Sequence, residues 1–179
     1  MLSPRPILPN DFAVLALDVP GVARAVAIDG YNPSTGTYNN ERMVTVAVTD
    51  AQGEVVSAEI KSAVAASLDV KREVNFAVHV IDPTYVTVDV NATIKAQNGY
   101  DPAAVATAAT QAVTAFLQPY SWHWTNTLRY NQLLAVLAQV PGVLYVDNIN
   151  TPSEDLYLGS AASLVRPGQI SVIAEAVGG

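Results

Sequence analysis

Val19-Pro20-Gly21-Val22 and Val140-Pro141-Gly142-Val143 are the same tetrapeptide, and the residues on either side of each copy decide how the rest of the chain is read. Ahead of each lies a short run at helical spacing, with Phe12, Leu15 and Ala16 in the first and Leu133, Leu134 and Leu137 in the second. Behind each lies a β-rich run. A Pro-Gly pair at such a junction stops the helix and turns the chain into a strand, because proline cannot continue the helix and glycine accepts the turn. The copies lie too far apart to form a stacked solenoid. The expectation is therefore an α+β protein of two small related units, each a β-sheet packed against helices.

Working outward from the first copy, Asn10 or Asp11 is placed to cap its helix. A strand over Val22 to Asp29 leads into a neutral, polar loop, Gly30 to Asn40, long enough to be a surface feature. Met43 to Asp50 alternates with Val44, Val46 and Val48 on one face. Ser57 is the N-cap of a helix to about Asp69 with Ile60, Val64 and Leu68 turned inward, and Lys71, Arg72 and Glu73 read as a solvated connection. A strand over Asn75 to Ile81 follows. Asp82-Pro83-Thr84 interrupts the ladder because proline lacks an N–H, so the units divide into 1–82 and 83–179.

The second unit opens on the most regular alternation in the chain: Val86, Val88, Val90, Ala92 and Ile94 face inward. Asp101-Pro102 is an N-cap followed by proline at the first helical position, starting a helix to about Gln118 whose core stripe is Val105, Ala109, Ala112, Val113 and Phe116. Its opposite face carries Thr107, Thr110, Gln111, Thr114 and Gln118 and no charge. An aromatic loop, Tyr120 to Asn126, precedes a short strand over Thr127 to Arg129 and a helix from about Tyr130 to Gln139. Strands over Val143 to Asn148 and Gln169 to Ala176 complete the unit, with Glu154 to Leu158 a candidate third and a frayed end at Val177-Gly178-Gly179.

Composition narrows the function classes. Net charge is −7, against a nucleic-acid partner, since phosphate binding needs clustered Lys and Arg. There is no cysteine, so disulfides and thiolate metal sites are excluded. Met1 to Asn10 holds Arg5 and three prolines without an apolar h-region, and no run reaches the length of a membrane span, so the expectation is a soluble, unprocessed chain with no membrane partner. Only 14% of residues are charged, well below the quarter or so of an ordinary soluble domain. Such a surface either is a compact domain's neutral polar exterior or is covered by neighbouring subunits.

Catalytic chemistry finds little support. His79 sits between valines on a strand, the setting of a hydrogen-bonded structural histidine. His123 lies within Tyr120-Ser121-Trp122-His123-Trp124, where Trp122 and Trp124 could anchor a protein interface, stack on a sugar, or pack beneath the last helix. Glu154 and Asp155 are adjacent and would point to opposite faces of a strand, with no histidine near to suggest a metal. Gly30 to Gly36 lacks the Gly-Lys-Ser/Thr of a phosphate loop, and there is no Gly-x-Ser-x-Gly elbow. A hydrolase pairing His123 with an acid such as Asp147 ranks last. No catalytic, cofactor or metal residue is assigned, and no cofactor is expected. The interface candidates are Arg24, Tyr31, Tyr38, Thr107, Gln111, Thr114, Trp122 and Trp124.

The string from Asp11-Phe12-Ala13-Val14-Leu15-Ala16 through Val19-Pro20-Gly21-Val22-Ala23-Arg24-Ala25 resembles the entry to the core of the baseplate J family of phage tail proteins. The order of the later features is similar to that family too. A valine strand ends at Asp50, a helix follows Ser57, and Asp82-Pro83-Thr84-Tyr85-Val86 leads into a long strand. Gly99-Tyr100-Asp101-Pro102 then opens a helix, and Leu128 to Leu134 leads into the second Val-Pro-Gly-Val. The likeness runs over most of the chain. It implies a non-enzymatic wedge component of the tail baseplate of phages, tailocins or related contractile injection systems, assembled in the host cytoplasm. The implied partners are other baseplate proteins and copies of itself, around a central hub. Family members commonly carry a further N-terminal region, whereas here the likeness begins almost at Met1; either the gene is short or the chain is a C-terminal portion. The rival from another class is a carbohydrate- or receptor-binding module of a tail tip, using the Trp122-His123-Trp124 loop.

Overall fold

The structure, a computed structural model, describes residues 8–177. The expectations for the stretch up to Ile7 and for the end at Gly178 and Gly179 lie outside those residues. The chain divides into two units, Met1–Thr84 and Tyr85–Gly179, and its helices and small sheets make it an α+β protein.

In the first unit, helix α1 (Pro9–Ala16) begins with proline at its first position. Asp11 does not cap it from the front; it sits one turn inside and its carboxylate accepts the Leu8 N–H at 2.8 Å. The first Val-Pro-Gly-Val then closes a turn in which Val22 N–H donates to Val19 O at 3.1 Å and Gly21 takes φ +94°. This delivers the chain into β1 (Arg24–Asp29), antiparallel to β2 (Met43–Thr49). Helix α2 (Ala58–Lys71) starts at Ser57, whose hydroxyl accepts the Ile60 N–H, and supplies the crossover that lets β3 (Ala77–Ile81) run parallel to β2. Val44, Val46 and Val48 meet Phe12, Leu15, Val64 and Leu68 in one core, with the Phe12 and Phe76 rings stacked at 5.6 Å.

The valine alternation speaks for one face of β2 only, and the structure buries the other face too: Thr45, Ala47 and Thr49 are as buried as the valines. β2 is the central strand, its small residues register between Val26, Ile28, His79 and Ile81, and the Thr45 hydroxyl donates to Tyr31 O at 2.6 Å. In the Lys71 to Glu73 connection Glu73 is exposed, and Lys71 and Arg72 are half-buried. Arg72 bonds Asp69 on one side and donates to Phe76 O at 2.6 Å on the other, fixing the turn into β3.

The second unit is built on β4 (Thr84–Ala96), the middle strand of the order β6-β4-β8. Val88, Val90, Ala92 and Ile94 are buried as their alternation requires. Helix α3 (Pro102–Phe116) starts where Asp101 predicts, its carboxylate accepting the N–H groups of Ala103 and Ala104. Two-residue strands β5 (Thr127–Leu128) and β7 (Leu156–Tyr157) pair with each other as a separate ribbon, so the 154–158 segment does hold a strand, outside the β6-β4-β8 sheet. Helix α4 (Tyr130–Ala138) leads into the second Val-Pro-Gly-Val, with Val143 N–H to Val140 O at 3.1 Å and Gly142 at φ +88°, and thence into β6 (Val143–Thr151), antiparallel to β4. Strand β8 (Ser163–Ala176) is longer than its sequence suggests. It passes through Pro167-Gly168 because it is an outer strand, where proline is tolerated, and because Asp89 on β4 accepts the Gln169 N–H at 2.7 Å. Both Val-Pro-Gly-Val corners therefore make the same helix-to-strand turn. Beyond that corner the two units string their elements in different order.

Candidate functional site

Between Asp101 and Asp147, His123 aside, the chain contains one residue ionised at neutral pH, Arg129. That stretch is the helical layer of the second unit: α3, the aromatic loop and α4. Between the two helices runs a groove of about 560 Å³. Ala108, Ala112 and Ala115 form its α3 wall, Val136, Gln139 and Val140 its α4 wall, and Phe116 with Trp122 its apolar end; His123 lines it as well, and no carboxylate does.

The α3 wall and the exposed face beside it owe their character to a repeated local bond. Thr107 Oγ1 donates to Ala103 O, Thr110 Oγ1 to Ala106 O and Thr114 Oγ1 to Thr110 O, each one turn back, and Gln118 Nε2 donates to Thr114 O. The hydroxyl protons are satisfied within the helix. A partner can therefore cover the threonines of this face without stranding their hydroxyl protons, the main cost of burying threonine.

Thr107 and Gln111 are exposed and Thr114 is half-buried. Of the alternatives open for Trp122, the structure has the packed one: it is 3% exposed, edge-on to Phe116 at 5.8 Å and 72°, with Nε1 donating to Thr125 O. Its indole is core, which removes it as a surface anchor and as a sugar platform. Trp124 is half-buried against the same core. His123 is exposed.

In the first unit, Tyr31 and Tyr38 come together, their rings 4.8 Å apart and tilted 38°. The loop holding them is well tied: Asn32 N–H to Thr37 O, Ser34 N–H to Asn32 Oδ1, and Asn40 Nδ2 to both Gly30 O and Thr37 O. Arg24 opens β1 opposite Thr49, half-buried, and that burial lowers its pKa.

Asp155 has a role its sequence does not announce. Its Oδ2 accepts from Arg129 Nη1 at 2.7 Å and its Oδ1 accepts the Tyr130 N–H at 2.8 Å, so it clamps the start of α4. The Arg129 bond first, then the backbone bond, hold its carboxyl below its ordinary pKa. Among the described residues no three His, Cys, Asp or Glu side chains stand close enough to hold a metal ion, and no helix is long and apolar enough to cross a membrane.

Residues 88–173 match the family model described as Baseplate J-like protein C-terminal domain. Among solved structures, a chain in the cryo-EM structure of the anti-feeding prophage (AFP) baseplate, 6-fold symmetrised, matches 92% of this chain with a TM-score of 0.66 at 16% identity. The present chain spans 38% of that chain's length. Among curated proteins nothing matches it. The family match falls wholly within the second unit and contains α3, the groove and α4, so it is the second unit that is similar to the Baseplate J-like C-terminal domain.

Proposed function

We propose that the chain is a structural wedge component of a phage-like tail baseplate, held between neighbouring subunits around the hub, and that its activity is its shape. The observation that carries this reading is the coincidence of the Baseplate J-like domain with a helical layer in which, His123 aside, Arg129 is the one ionised side chain between Asp101 and Asp147. A surface of that kind is unusual on a protein of net charge −7. It can be covered by protein at little desolvation cost, because the threonine hydroxyls donate within their own helix. The partners proposed are other baseplate proteins and further copies of this chain, and the location is the tail baseplate. Burial of Trp122 counts against the sugar-binding alternative, which needed its ring as a stacking platform.

The test is co-expression with the tail tube and hub proteins of the same phage or phage-like particle, followed by affinity capture and electron microscopy of the captured particles. Recovery of the chain in a ring-shaped subcomplex is the expected result. A chain that co-purifies with none of them is not a wedge.

A further inference from the structure

Asn98 is the one asparagine of the chain that precedes a glycine, and Asp29 is the one aspartate that does. Both pairs have the composition for cyclic imide formation, in which a backbone nitrogen attacks the preceding side-chain carbonyl, because glycine puts no side chain in the way. The structure separates them. At Asp29-Gly30 the Gly30 N–H donates to Met43 O at 2.8 Å at the end of the β1–β2 ladder, and a Cβ placed on Gly30 would meet backbone atoms of Asn39 and Asn40 at 3.2 Å. That nitrogen is held in place and its proton is in use. At Asn98-Gly99 both residues are exposed, and nothing lies within 4 Å of where a Gly99 Cβ would stand. Neither the Asn98 side-chain amide nor the Gly99 N–H makes a hydrogen bond with any described residue.

We infer that Asn98 is a site of spontaneous modification, at which the side-chain amide is replaced by a carboxylate with water as the only co-reactant. The Gly99 nitrogen attacks Asn98 Cγ and gives up its proton through solvent. A C–N bond forms there as the bond to the side-chain nitrogen breaks, and that nitrogen takes up the proton and leaves as ammonia. Water then opens the cyclic imide at either carbonyl. One opening restores the ordinary backbone with aspartate in place of Asn98, and the other routes the backbone through the side chain as isoaspartate. No oxidant or reductant is needed, and either product adds a carboxylate to a chain of net charge −7.

One bond restrains the step. The Tyr100 N–H donates to Gln97 O at 3.1 Å, and Gly99 takes φ +91° while Asn98 does not enter positive φ, which makes this a type II turn. In that turn the Gly99 nitrogen points away from the Asn98 side chain, so the Tyr100 bond must open before attack. A single exposed hydrogen bond slows the step by about tenfold or less relative to an unstructured chain. The product matters to the fold because both ends of the turn are tied to the second Val-Pro-Gly-Val corner. The Gln97 N–H donates to Gly142 O at 2.8 Å and Gln97 Nε2 donates to Val143 O at 3.1 Å, while the Tyr100 ring packs on Gly142. Isoaspartate puts an extra carbon into the backbone between those ties and loosens the corner.

The purified chain, aged at neutral and at mildly alkaline pH, is followed by peptide mass mapping. Isoaspartate is labelled in parallel with an isoaspartyl methyltransferase and S-adenosylmethionine. The expected result is conversion at Asn98 ahead of every other asparagine, faster at the higher pH, with no isoaspartate at Asp29. Its rate should lie within about tenfold of that in a short synthetic peptide spanning residues 95–102. Asn98→Gln, which keeps an amide at the turn but closes its larger imide far more slowly, should abolish the labelling; circular dichroism confirms its fold. In the aged wild-type chain the Gln97 amide should exchange at least about tenfold faster than in fresh material. The inference is overturned if Asn98 keeps its amide while the peptide reacts more than about a hundredfold faster, if another asparagine converts first, or if labelling persists in Asn98→Gln.

Discussion

Gly21 and Gly142 occupy the same place in the same tetrapeptide, take nearly the same φ of +94° and +88°, and close the same turn, yet their surroundings differ. Gly21 is exposed, and a methyl group added there would meet the Cδ1 tip of Ile60 at 2.6 Å. Gly142 is buried, and the same methyl would meet the Tyr100 ring at 2.5 Å and Val105 Cγ2 at 2.9 Å. The backbone needs glycine at both corners, but only at the second does the core need it as well. A repeated motif thus identifies a shared turn and says little about what is packed over it.

The largest expected effect follows from that difference. Gly142→Ala combines a disfavoured backbone with a clash against a ring and a branched side chain at the start of α3, and should cost about 3–5 kcal/mol. It should be read as lost amide protection in α4 and β6. At Gly21 the obstructing atom is the end of a flexible side chain that can turn aside, leaving mainly the backbone penalty of about 1–2 kcal/mol. Equal losses of protection in the two variants would break the comparison.

The helices that meet these two corners sharpen it at smaller magnitude. α3 is started by Asp101, whose carboxylate takes two N–H groups, whereas α2 is started by Ser57 through a single long bond of 3.4 Å. Asp101→Ala should therefore cost about 1 kcal/mol and Ser57→Ala about half of that, by chemical denaturation followed in each unit. A larger loss at Ser57 would mean that its hydroxyl does more than begin the helix.

What could be read from sequence was local. The Asp101-Pro102 start, both Val-Pro-Gly-Val turns and the inward face of β4 depend on residues within a few positions of one another, and each stands as its pattern requires. What could not be read depends on distant neighbours. The valine alternation of β2 looks like that of β4, but alternation cannot tell that strands on both sides would enclose Thr45 and Ala47. The Trp122-His123-Trp124 run looks like a surface platform until Phe116 turns its edge toward one ring. The α3 face itself was legible as neutral; that α4 would stand beside it and make a groove was not, because no local spacing encodes which helix packs next to which.

The smallest expected effect concerns how the two corner helices begin. Both use the same reciprocal bond: Asp11 accepts the Leu8 N–H in α1, and Gln132 accepts the Arg129 N–H in α4. α4 alone receives a second acceptor from far along the chain, Asp155, on the Tyr130 N–H. Because Arg129 and that N–H hold the Asp155 carboxyl below its ordinary pKa, its contribution is fully present above the unfolded carboxylate's pKa and is lost as pH falls through the folded value. The pair is exposed, so little global stability is at stake. The local bond should still report it: the Tyr130 amide proton shift should titrate in acid, below the range of an ordinary aspartate, and Asp155→Asn should abolish that titration. If the Tyr130 amide ignores pH throughout the acid range, the clamp does not hold in solution, and α4 starts on its own local residues just as α1 does.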